Sequence, residues 1–199
     1  MSATETETPA GKRSAAVRQR LLEAADRLFC AEGIRAVGID RVLTEAGAAK
    51  ASLYTHFGCK DELVAAHVEY RTAMAREQIS VYVERFAPAE RALRFFDWVI
   101  EWAGQADFRG CPLQHVVAEL PDPDHPARRG VSAQRQWLHE QFSQWAADAG
   151  CEQPAAMADA MQVLFDGAIA AAERDGAKRT QDARWMAESL LHAASRKAG

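Results

Sequence analysis

The chain has 199 residues, 48% of them hydrophobic, with 24 Lys/Arg against 28 Asp/Glu and a net charge of −4. Such a chain can bury one or two real cores, and its acidic balance, taken alone, argues against a nucleic-acid binder. No apolar run looks long enough to cross a bilayer and no secretory leader is visible, so a soluble cytoplasmic protein is expected.

The average charge hides an asymmetry. Residues 12–60 hold nine Lys/Arg and five Asp/Glu, while residues 61–199 hold 15 and 21. A positive N-terminal module on an acidic body is what a phosphate-facing domain joined to something else looks like. The four cysteines, Cys30, Cys59, Cys111 and Cys151, show neither metal-ligand nor disulfide-framework spacing.

Taken in order, residues 1–12 are polar and aperiodic, and read as a disordered tail. Lys12 and Arg13 are its only support for a basic arm into a minor groove. A first helix is expected over residues 15–31, with Ser14 as N-cap and Val17, Leu21, Ala25 and Leu28 as core stripe. Arg18 and Arg20 lie on its polar side, Cys30 reads as a small apolar group, and Gly33 closes it.

A second short helix follows Gly38, with Ile39, Val42, Leu43 and Ala46 as its apolar stripe. Gly47 supplies a tight turn. A third helix carries Leu53 and Phe57 four apart on its buried side. Between them stand Lys50, Ser52, Tyr54 and His56, polar groups that a small core does not use. Two brief helices around a glycine turn form the pattern of a helix-turn-helix, whose second helix lies in the DNA major groove.

From Lys60 a fourth helix is expected to run to Phe86, with Leu63, His67, Tyr70 and Met74 along one stripe. Cys59 and Glu62 resemble a capping box that lacks its hydroxyl. A fifth helix over residues 89–105 has a broad apolar face. Trp98 and Trp102 on it are candidates for a pocket wall. Pro112 opens a short helix with Cys111 at its N-terminal end, where a thiolate is favoured, so Cys111 is a candidate sensor thiol. His115 lies four residues on. Helices follow over residues 127–149, 154–174 and 180–195. Phe142 and Phe165 are further pocket candidates, and Asp166 stands amid an apolar run.

The motif AG-AAKAS-LYTHF-GCKDEL, with VRQRLLEAADRLFCAEGIRAVGIDRVLTEAG before it, resembles the DNA-binding domain of the TetR family of bacterial one-component regulators. The resemblance covers residues 14–64. It is anchored by Arg18, Leu22, Ala25, Phe29, Gly33, Gly47, Leu53, Tyr54, Phe57 and Lys60. Gly38, Ala49 and Cys59 stand where the family often has a hydroxyl.

The resemblance implies an all-α fold: a three-helix head over residues 13–60 and a helical bundle over 61–199 for ligand binding and dimerisation, with the fourth helix linking the two. It implies a homodimeric DNA-binding regulator, a repressor released from a pseudo-palindromic operator by a small apolar or aromatic effector. DNA contacts are expected from Arg41, Thr44, Lys50, Ala51, Ser52, Tyr54, His56 and Lys60. Lys50 suits a guanine edge or phosphate, Ala51 a thymine methyl, Ser52 either kind of contact, and Tyr54 and His56 phosphates. Ligand contacts are expected from Trp98, Trp102, Cys111, His115, Phe142 and Phe165. Dimerisation is expected through the helices near 127–149 and 154–174. No cofactor, metal or membrane is expected. One alternative keeps the DNA head and makes oxidation or alkylation of Cys111 or Cys59 the trigger. An enzyme is the remaining alternative, but no Ser/His/Asp set, phosphate-binding glycine loop or carboxylate pair stands at recognisable spacing.

Overall fold

The computed structural model describes residues 9–195. Every regular element among them is helical. The order is α1 (Pro9–Glu32), α2 (Ile39–Ala46), α3 (Lys50–Phe57), α4 (Lys60–Val83), α5 (Arg91–Ala103), α6 (Pro112–Glu119), α7 (Pro126–Asp148), α8 (Pro154–Asp175) and α9 (Lys178–Ser195), with a 3₁₀ turn at Pro88–Glu90 before α5. The all-α expectation holds.

Several boundaries move. The first helix starts at Pro9, so Ser14 lies inside it and is not its cap. Proline suits a first helical turn, and the run of alanine and arginine that follows favours continuation. The part of the expected tail at residues 1–8 lies outside the described residues. At α4, Cys59 is the N-cap, but its side chain caps nothing, and its own N–H donates to the Phe57 carbonyl at 2.8 Å. The expected capping box is therefore not formed. The same helix ends at Val83, three residues before the expected Phe86.

The head packs Leu21, Leu22, Ala25 and Phe29 of α1 against Val42 and Leu43 of α2, Leu53 and Phe57 of α3, and Leu63 of α4. Its core is not sealed from the body, because Val116 of α6 and Val131 of α7 belong to the same cluster. The second core is aromatic. Phe95, Phe96, Phe142 and Trp145 meet edge-on, tilted or stacked, with ring centroids 4.8–6.3 Å apart. Such pairs add to the burial term of each ring.

Packed between α7 and α9, α8 does contain a window long and apolar enough to cross a membrane, with mean hydropathy 1.3, against the expectation from sequence. Its many alanines raise that mean. Met161, Ile169 and Ala172 are buried against neighbouring helices, and Asp159 and Glu173 face outward. A packed bundle helix accounts for it.

Candidate nucleic-acid interface and effector cavity

The turn between α2 and α3 is built on Gly47, at φ 57° and ψ 44°, a left-handed conformation that costs glycine little. Its own N–H donates to Thr44 O, and that of Ala48 to Leu43 O at 3.0 Å, closing the end of α2. With Leu53 and Phe57 buried, α3 turns its other side outward. Lys50, Ala51 and Tyr54 are exposed, Tyr54 at 48%, and Ser52 and His56 are half-buried. A polar face one helix wide suits a major groove and its flanking phosphates.

The remaining DNA candidates are already engaged. Arg41 pairs with Glu32 at 2.8 Å on the surface, a bond weak enough for a phosphate to replace. Thr44 donates its hydroxyl to Asp40 O at 2.9 Å, so its proton is spent within its own helix. Lys60 is half-buried and donates to Ile34 O at 2.7 Å. It was expected as a plain phosphate contact; it also ties the start of α4 to the α1–α2 loop. Arg18 lies over the Phe57 ring, 5.1 Å from its centroid, and bridges α1 to α3.

That same loop is held from the body. Glu119, the last residue of α6, accepts from the N–H groups of Ile34 at 3.1 Å and Arg35 at 2.8 Å. Gly33 precedes them at φ 88°, and a Cβ there would come within 3.1 Å of the Glu119 carboxylate. Nothing in the sequence announces Glu119, because its partners lie 84 and 85 positions away.

The body and α1 line a partly open cavity of about 500 Å³, within the range of small-molecule sites. Trp98 and Trp102 stack at 5.4 Å along one wall, and Phe108 meets Trp102 edge-on at 5.2 Å. Of the six expected ligand residues, Trp98, Trp102, Cys111, His115 and Phe165 line this cavity. Phe142 does not. It is fully buried against Phe95, Phe96 and Trp145, since its position on α7 points it into the aromatic core.

Cys111 does sit at the N-terminus of α6, as expected, but it is buried. Burial pushes its thiol above the ordinary range, outweighing the Gln114 and Leu113 amides that pull it down. The chemistry expected of a sensor thiolate is therefore opposed. His115 pairs with Glu173 at 3.1 Å, and Asp166 with Arg135 at 2.7 Å.

The cavity is also lined by Cys30 of α1 and Arg71 of α4. Cys30 is not the plain apolar group expected. Its Sγ lies 2.8 Å from Arg71 Nη2, and Arg71 Nε lies 2.7 Å from Asp26. Burial raises the Cys30 thiol in spite of the guanidinium beside it. Asp26, Cys30 and His67 bring three potential ligand atoms within 4.8 Å of one another, but Arg71 already supplies the cation there. Sequence reading missed this cluster. Its only trace is two i, i+4 pairs, Asp26/Cys30 and His67/Arg71, which become meaningful once α1 lies on α4.

Residues 21–67 match the family model described as bacterial regulatory proteins, tetR family. The chain is 33% identical to a TetR-family transcriptional regulator of Streptomyces coelicolor of known structure. That match covers 91% of this chain and 97% of the other, with a TM-score of 0.85. A TetR-type regulator of Streptomyces avermitilis gives 34% identity over 89% and 97%, with a TM-score of 0.80. It is also 30% identical to the HTH-type transcriptional regulator LmrA of Bacillus subtilis, over 65% of this chain and 66% of LmrA's length. Escherichia coli NemR, in its reduced form, shares the fold at 19% identity and a TM-score of 0.78.

Helix-turn-helix head, linking helix and helical body together define a DNA-binding transcriptional regulator. The chain belongs to the TetR family of bacterial transcriptional regulators.

Proposed function

We propose that the protein acts in the cytoplasm as a homodimeric repressor, holding a pseudo-palindromic operator with α3 and releasing it when a small apolar or aromatic molecule fills the cavity. One observation carries this reading. The cavity is lined by Cys30 of the head's own first helix, and by α6, whose far end grips the α1–α2 loop through Glu119. An occupant therefore touches elements that set the position of the head. It releases DNA to the extent that it binds better to a state in which the two heads no longer fit.

The second chain is expected on α8 and α9 rather than on α7 and α8. Val163 is 71% exposed and Trp185 65%, and Met186 and Leu190 are exposed beside Trp185 on α9. Ala156, Gly167 and Ala170 add exposed small residues along α8 that admit a close helix. Exposed apolar area of this kind on the last two helices favours burial against a copy of itself. Such a dimer sets its recognition helices about one DNA turn, ~34 Å, apart.

Nothing in the site favours the thiol-triggered alternative through Cys111, which burial disfavours as a nucleophile. Selection of duplexes from a random pool by the purified protein, followed by salt titration of the winner, tests the reading. The expected result is a two-fold-symmetric sequence whose affinity falls steeply with salt. Lys60→Ala is expected to lower the salt slope by about one, as loss of one phosphate contact does. Failure to enrich any sequence at low salt would overturn it.

A further inference from the structure

The cavity wall carries two chemically different sets of side chains. One is aromatic, with Trp98 stacked on Trp102 and Phe108 edge-on to it. The other centres on Arg71, which reaches the cavity from α4. The other charged and amide groups on the wall are mostly committed. Arg135 is paired with Asp166, and His115 with Glu173. Gln134 accepts from Arg76 at 2.7 Å, and Gln162 donates to the Arg135 carbonyl at 3.0 Å. Arg109 is an exposed residue that donates to its neighbour's carbonyl.

Arg71 differs from these. Its Nε and Nη2 face Asp26 and Cys30, while its Nη1 has no partner among the described residues. Its side chain keeps 33% exposure and lines the cavity. A half-buried planar fork with a free edge suits a carboxylate, which it can bind through two parallel bonds.

The geometry points to a flat aromatic carboxylate as the effector class, with its ring system against Trp98 and Trp102 and its acid group on Arg71. The inference rests on the cavity being the effector site of a DNA-binding regulator. It also supplies the trigger. The ligand's carboxylate and Asp26 compete for one guanidinium, and Asp26 belongs to α1 of the head. Acid binding loosens the Arg71–Asp26–Cys30 tie between α4 and α1, which is the differential contact an inducer requires.

The test uses naphthalene-2-carboxylate and the uncharged naphthalene-2-carboxamide, titrated calorimetrically into the full-length protein. The acid is expected to bind about tenfold or more tightly than the amide, a difference an Arg–carboxylate pair readily supplies. Arg71→Gln should bring that ratio to about one or below. Asp26→Asn, which removes the competitor, should raise acid affinity severalfold and leave amide affinity unchanged. A purely structural role for Arg71 predicts no such rise. At equal occupancy, the acid should release the pool-selected duplex more completely than the amide.

Equal binding of acid and amide by the wild-type protein, an unchanged ratio in Arg71→Gln, or no binding of either at millimolar concentration would overturn the inference. Each of those results leaves the regulator standing if the duplex is still bound. Loss of duplex selection overturns the regulator reading instead, whatever the cavity holds.

Discussion

The head and the body solve opposite problems. The head keeps its functional groups outside a small core. Two eight-residue helices and a glycine turn are enough to expose Lys50 and Tyr54, with Ser52 and His56 half-buried beside them, while Leu53 and Phe57 hold α3 in place. The body turns polar and aromatic groups inward, around a cavity beside a large aromatic core. On the proposed reading, recognition of DNA is local in this chain and recognition of a small molecule is not. A few neighbouring residues make the first, whereas α1 and α4 to α8 all contribute walls to the second.

If that division is right, damage should separate cleanly. The largest effect is expected from Phe95→Ala. Phe95 is fully buried against Phe96, Trp98, Phe142, Trp145 and Phe165. Its removal should cost about 3–5 kcal/mol of stability, measured by urea unfolding, because a cavity replaces a ring. Tyr54→Ala comes next and should behave in the opposite way. The ring is 48% exposed, so melting should stay near wild type while affinity for the selected duplex falls by about 1–3 kcal/mol in an anisotropy titration. Equal loss of stability in both variants would break the division.

The two regions meet at Glu119, and there the effect should be smaller and mixed. Glu119→Gln removes the charge from a side chain that accepts two amide protons of the α1–α2 loop. A loss of about 1–2 kcal/mol in that local tie is expected, read as faster hydrogen exchange at Ile34 and Arg35. Unchanged exchange would mean that α6 does not hold the head.

The smallest effect concerns the thiols. Cys59 is exposed, while Cys111 and Cys151 are buried. Burial raises the Cys111 and Cys151 thiols, so both carry less thiolate than an ordinary cysteine at pH 8. Peptide mapping after brief iodoacetamide treatment at that pH should find label at Cys59 first. Labelling of Cys111 should rise as the pH is taken above the ordinary thiol range, because only then does its thiolate form. Early labelling of Cys111 would revive a thiol trigger.

The same contrast explains how far the sequence could be read. Periodicity and turn chemistry located α2, α3 and Gly47, since their partners lie within one or two turns. The stretch around Pro112 likewise announced a helix start at Cys111. What stayed hidden depends on contacts across the fold. Phe142 has the composition of a pocket residue, and only the packing of α7 against α5 turns it into core. Arg71, a surface-like arginine in sequence, becomes a cavity residue because α1 brings Asp26 beside it. Glu119 and the exposed apolar faces of α8 and α9 likewise acquire meaning only in three dimensions. Ser14 misled for a different reason. A good capping residue is no stop signal when alanine and arginine on both sides favour helix.

The most direct test of the central claim, that the outward face of α3 grips DNA in pairs, is a hydroxyl-radical and methylation-protection footprint of the protein on the pool-selected duplex. Two protected major-groove patches are expected on one face of the duplex, about one turn or ~34 Å apart, both lost with Tyr54→Ala. Protection confined to a single patch, or unaffected by that substitution, would contradict it.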